Sequence, residues 1–114
     1  MKPLKTLYTD SHYQLRLVYT DADGTPVDIT GATATMVLRN TIESAALVTT
    51  SATIDGPTGT IEFTIPPEDT STLIDAKRPE RKLLAGAMLY LPDDLSIPLF
   101  NTTVLAKKNI VRGA

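Results

Sequence analysis

Apolar and polar residues alternate with a period of two in several short stretches of this chain, and turn-forming residues separate the stretches. Tyr13, Leu15, Leu17 and Tyr19 alternate with Gln14, Arg16 and Val18, the spacing of a half-buried strand. Ala32, Ala34, Met36 and Leu38 fall on one face of the next candidate, with Thr33, Thr35, Val37 and Arg39 on the other. In "TIEFTI", Ile61, Phe63 and Ile65 oppose Thr60, Glu62 and Thr64. Together these strands predict an inward set of Leu15, Leu17, Met36, Leu38, Ile61, Phe63 and Ile65.

The breaks between strands carry their own chemistry. "DADG" and "DGPTG" supply Asp side chains that bond nearby backbone and glycines that accept positive φ. "TPVDITG" reads as an irregular or edge segment, because Pro26 has no N–H for a central ladder. A Thr-rich strand is expected from Leu47 to Ile54. "PPEDTSTLIDA" changes the period, and its prolines and acids followed by Leu73 and Ile74 predict a turn or two of helix as a crossover. "LLAGAMLYL" is apolar on both faces, as in a central strand covered on each side or one that gives a face to a partner. "LSIPLFNTTVLAKKNIV" predicts one long interrupted strand or two short ones, bent or edged at Pro98. About seven strands with one short helical crossover make an all-β sandwich. The expected organisation is an extended arm over residues 1–12, regular only from Tyr13, and a single domain over 13–114.

Composition narrows the function. With 114 residues the chain holds one core, and with two Phe, four Tyr and no Trp that core is mainly aliphatic. The absence of Cys removes disulfides and thiolate metal sites. A net charge of −2 gives no reason to expect nucleic acid or an anionic membrane as partner. The charge is unevenly spread: residues 1–69 carry nine acids and four bases, and residues 70–114 carry seven bases and four acids. No apolar run approaches the ~20 residues of a membrane span, and "MKPLKTLYTDSHY" lacks the apolar core of a signal peptide.

Catalytic chemistry finds little to work with. His12 is the one histidine, so no Ser-His-Asp or His-rich metal set can form. Asp21, Asp23 and Asp28 invite a calcium reading, but an EF-hand loop with Gly24 at its sixth position would place Tyr19 and Thr30 where the first and twelfth ligands belong. Asp93 and Asp94 are adjacent in a Pro-Asp-Asp turn, and adjacent side chains on an extended chain diverge. "NTT" at Asn101 matches a glycosylation acceptor in a strand rich in Thr. The expectation is no enzyme activity, no cofactor and no metal. Lys77, Arg78, Arg81 and Lys82 form a candidate basic docking patch, and Leu4, Leu7, Tyr8, Leu89 and Leu91 are candidate assembly contacts. On this reading, deleting residues 1–9 impairs assembly and leaves the monomer folded.

The order of features resembles the immunoglobulin-like domains of tailed-bacteriophage structural proteins, especially the N-terminal domain of upper-baseplate and fibre-associated proteins. The resemblance covers most of the chain. It is carried by Leu15 to Val18, by "DGTPVDITGATATMVLR", by "GTIEFTIPPEDTSTL" and by the closing hairpin from Leu84 to Arg112. The chain departs from the pattern at Gly86 and Ala87, where an aromatic and a polar residue are usual, and at Asn101, where a Gly often opens the last strand. The resemblance implies an immunoglobulin-like sandwich and a virion protein, assembled in the host bacterial cytoplasm, that docks other virion proteins of the tail, baseplate or fibre and forms homo-oligomers. A capsid-surface decoration protein and a carbohydrate-binding adhesive module are the alternatives, with host-surface glycan a partner only indirectly.

Overall fold

The alternation read from the sequence becomes two facing sheets in a computed structural model that describes residues 3–74 and 80–108. Eight strands occur among the described residues: β1 (Leu7–Tyr8), β2 (Tyr13–Val18), β3 (Thr33–Arg39), β4 (Ala46–Ser51), β5 (Thr53–Asp55), β6 (Thr60–Ile65), β7 (Glu80–Tyr90) and β8 (Ser96–Lys107). One sheet has the order β1-β8-β7-β3-β4 and the other the order β2-β6-β5. In immunoglobulin lettering these are A′-G-F-C-C′ and B-E-D, so the fold is an immunoglobulin-like β-sandwich. A single helical turn, α1 (Pro67–Thr70), followed by a 3₁₀ turn over Ser71–Leu73, provides the crossover from β6 towards β7.

The core lies between the sheets. Met36, Leu38, Ile61, Phe63 and Ile65 are buried, as the alternation predicts, together with Leu83, Ala85, Ala87 and Leu89 from β7 and Phe100, Val104 and Ala106 from β8. Leu15 and Leu17 face the same way but are half-buried, packed against the core from β2 at the sheet's edge.

Two expectations are corrected. The stretch from Leu47 to Ile54 is two strands: β4 pairs with β3, the Ala52 N–H donates to the Ala34 carbonyl at 2.9 Å, and β5 then pairs with β6 in the opposite sheet. A local period of two cannot register a change of partner. The region from Ser96 is the long interrupted strand of the two expected alternatives, its irregularity lying beside Pro98, where Ala87 opposes Phe100 and Met88 opposes Pro98, leaving Leu99 as a bulge.

The second correction concerns the arm. The chain is already regular before Tyr13, because β1 pairs in parallel with the end of β8 at Ala106 and Lys107. The Leu4 N–H donates to Thr103 O at 2.9 Å and the Thr9 N–H to Lys107 O at 3.0 Å. Leu7 is fully buried. The Tyr13 hydroxyl donates to Lys5 O at 2.7 Å, while the Lys5 ammonium lies 5.4 Å from the centre of the Tyr13 ring. Buried Thr70 donates its hydroxyl to Ser11 O at 2.9 Å, tying α1 to the turn after β1. So short a strand has no periodicity to display, and its partners are about a hundred residues away, which is why local sequence does not reveal it.

The connection from β2 to β3 is stapled to the β5–β6 turn. The Tyr19 N–H donates to Gly59 O (2.8 Å), Val27 N–H to Tyr19 O (2.9 Å) and Ile29 N–H to Gly56 O (2.9 Å). Ile29 is thereby delivered into the core, although nothing in its surroundings alternates. Gly59 is required twice over: its φ is +68°, and a Cβ there would sit 2.7 Å from Val27 O.

Three outcomes follow from this packing. Replacing fully buried Phe63 with Ala should cost ~3–5 kcal/mol in denaturant unfolding; an unchanged midpoint would place the ring outside the core. Leu7→Ala should cost ~2–5 kcal/mol, and removing residues 1–9 should lower the stability of the monomer itself, contrary to the arm reading; a truncated chain that melts like the full one would restore that reading. Burial pushes the Tyr13 hydroxyl up from its ordinary 10 to about 12. The folded chain then keeps a proton that the unfolded chain releases, so this contribution is intact below pH 10 and is lost as pH rises towards about 12. Melting temperature measured across that window should fall more steeply for the wild type than for Tyr13→Phe, and parallel curves would refute the assignment.

Candidate docking surface

Strand β7 presents its second apolar face on the outside of the five-stranded sheet. Inward Leu83, Ala85, Ala87 and Leu89 alternate with outward Leu84, Gly86, Met88 and Tyr90, as the pleat requires. Register places Gly86 between Val37 of β3 and Asn101 of β8, Leu84 between Arg39 and Thr103, and Met88 between Thr35 and Pro98. Since Gly86 has no side chain, the middle row is low and its neighbours stand around it. The result is an open groove of about 590 Å³ on the outer face, within the ~300–1,000 Å³ range of ligand-sized clefts.

The groove is walled mainly by apolar groups, with a few polar ones at defined places. Ile42, 84% exposed, overhangs it from the β3–β4 turn. That turn is fixed by the Arg39 guanidinium, which donates from Nη1 to Ser44 O at 2.7 Å, and by Thr41 and Ser44, whose backbone N–H groups each donate to the other's hydroxyl. Arg39 is the one charged residue among the described residues that line the groove. Tyr90, 43% exposed, and Asn101 add an aromatic surface and an amide. A Cβ added at Gly86 would approach Asn101 Oδ1 to 3.0 Å, so any side chain there displaces the amide and fills the floor. The sequence holds one sign of this site, a glycine in the middle of an otherwise apolar strand, which marks close approach by another group.

The residues singled out from sequence do not form one surface. Leu7 and Leu89 are fully buried in the monomer and are unavailable as assembly contacts, because both point between the sheets. Leu4 and Leu91 are half-buried against the same core, and Tyr8 is exposed beside β8. Lys77 and Arg78 lie outside the described residues. Arg81 and Lys82 are neighbours on β7 and so project to opposite faces, which divides that pair of the expected basic patch. The Arg81 guanidinium is engaged with Leu73 O at 3.3 Å, and Lys82 is exposed on the outer side.

The acidic residues are occupied with turns. Asp21 Oδ1 accepts the N–H groups of Asp23 (2.9 Å) and Thr25 (3.1 Å). Asp28 Oδ1 accepts both the hydroxyl and the N–H of Thr30, and these bonds, the hydroxyl first, hold its carboxyl below the usual range. Asp94 sits at φ +66° in the β7–β8 turn, where Leu91 N–H reaches Leu95 O at 2.9 Å. Among the described residues no three His, Cys, Asp or Glu side chains gather as a metal-binding group. Compared with known proteins, the chain matches no protein-family model and no curated sequence.

Proposed function

We propose that this chain is a structural protein of a bacteriophage virion, an assembly or adaptor module of the tail, baseplate or fibre region that works by protein–protein docking. The observation that carries the reading is the outer face of β3, β7 and β8. Its inner side already completes the core, yet it adds a second apolar surface with a preformed notch at Gly86. Apolar area at that site is stabilised when a partner covers it. The sequence resemblance supplies the virion context, and its departure from the pattern at Gly86 falls on the groove floor, where a larger residue would close the notch.

On this reading the groove takes an apolar projection of another virion protein, with Arg39 at one end to fix its orientation. A glycan-binding module is the second reading, favoured by an exposed Tyr90 ring and an Asn101 amide that both line the groove. Met88→Glu separates docking from folding, because Met88 is half-exposed on the outer face. Its unfolding free energy should stay within about 1 kcal/mol of wild type, while its incorporation into purified particles falls by at least about tenfold, the signature of losing a central interface contact. Normal incorporation of this variant would defeat the docking reading. Binding to bacterial surface glycan that is lost in Tyr90→Ala, with incorporation untouched, would put the glycan reading in its place.

A further inference from the structure

The open edges of the two sheets are unequal, and one of them is the least guarded. Beyond β1, which is only two residues long, the edge of β8 carries Pro98 and the Leu99 bulge. In the smaller sheet, β2 carries Arg16 at its middle and β5 is three residues ending in Asp55. These are the usual devices against edge-to-edge pairing. Strand β4, Ala46–Ser51, has neither a charge nor a proline in six residues, and its sole irregularity is the register shift opposite Leu38 and Arg39 at its start.

Its unused backbone groups can be assigned from the ladder. Ala52 N–H donates towards β3, to Ala34 O. Antiparallel pairs alternate, so Val48 and Thr50 also bond β3, and the N–H and C=O groups of Thr49 and Ser51 face outward from the sheet. We infer that β4 is a self-association edge, pairing antiparallel with β4 of a second copy so that Thr49 and Ser51 of each chain bond Ser51 and Thr49 of the other. The two-fold relation adds about four backbone hydrogen bonds and joins the two outer faces into one sheet. A second copy is the occupant because an isologous contact brings each residue against its own surroundings, and a six-residue uncharged strand meets itself without opposing like charges. A contact of this size is below that of permanent dimers, so association is weak in solution and becomes effective where copies are already concentrated.

The inference is independent of the groove and is read on the purified full-length chain. Sedimentation across about 10 µM to about 1 mM, the range of weak complexes, should show a reversible monomer–dimer equilibrium. Thr49→Pro removes an outward N–H that β3 does not use, and Thr49→Lys puts charge at the edge. Each should weaken dimerisation by at least about tenfold with the cooperative melt retained. Amide exchange provides a reading that needs no variant: the Thr49 and Ser51 N–H groups should become protected as wild-type concentration rises. A wild type monomeric throughout, variants that dimerise like wild type, or Thr49 and Ser51 exchange independent of concentration would each overturn the inference.

Discussion

Strand β7 is paired on both sides, with β8 from Glu80 to Tyr90 and with β3 from Leu84 to Tyr90. A strand held on both edges leaves no backbone group to water, so its side chains can be apolar on both faces without exposing the ladder. Its inner residues close the core against Phe63 and the β2–β6–β5 sheet. Its outer residues make the groove. Both properties depend on the same double pairing, and a slip of one residue would exchange Leu83, Ala85, Ala87 and Leu89 for Leu84, Gly86, Met88 and Tyr90. The volume that packs between the sheets would then be lost, which pins the register and with it the position of the Gly86 notch.

Around that strand, the sandwich is held by fastenings between distant parts of the chain. The N-terminal residues are strapped across β8 and reach the crossover turn through Thr70 and Ser11. The loop from Tyr19 to Gly31 is bonded to the β5–β6 turn through Gly56 and Gly59. With a core made mainly of aliphatic residues and no disulfide, these bonds at the two ends carry part of the task that a cross-link or a large aromatic cluster performs in other small sandwiches. The buried polar groups are satisfied, with no unpaired buried side-chain nitrogen or oxygen among the described residues, so the fastenings do not cost the interior an orphaned group.

The proposed docking role and the inferred edge association use different parts of one sheet. The groove offers side-chain surface over β3, β7 and β8, whereas β4 offers backbone. Side-chain notches discriminate between partners by shape, and strand edges discriminate poorly because every backbone presents the same groups. A virion module that met a different protein by its groove and a copy of itself by its edge would assign specificity to the first contact and repetition to the second.

The sequence by itself determined the strands whose partners make no difference to their period: β2, β3 and β6 with their inward residues, the Asp- and Gly-bearing turns, the short crossover helix, and the double-sided apolar character of β7. It also determined that His12 and the scattered aspartates form no recognisable catalytic or EF-hand motif. Tertiary structure alone decided that Leu7 belongs to the core, since a two-residue parallel strand draws its hydrogen bonds from the far end of the chain. It alone decided that Ala52 divides one Thr-rich run between two sheets, that Ile29 is buried, and that Leu89 is unavailable to a partner. The groove follows the same rule. Gly86 is visible in the sequence, but its placement between Val37 and Asn101 is a matter of register between strands about fifteen and fifty residues away, and side-chain periodicity carries no information about which strands become neighbours.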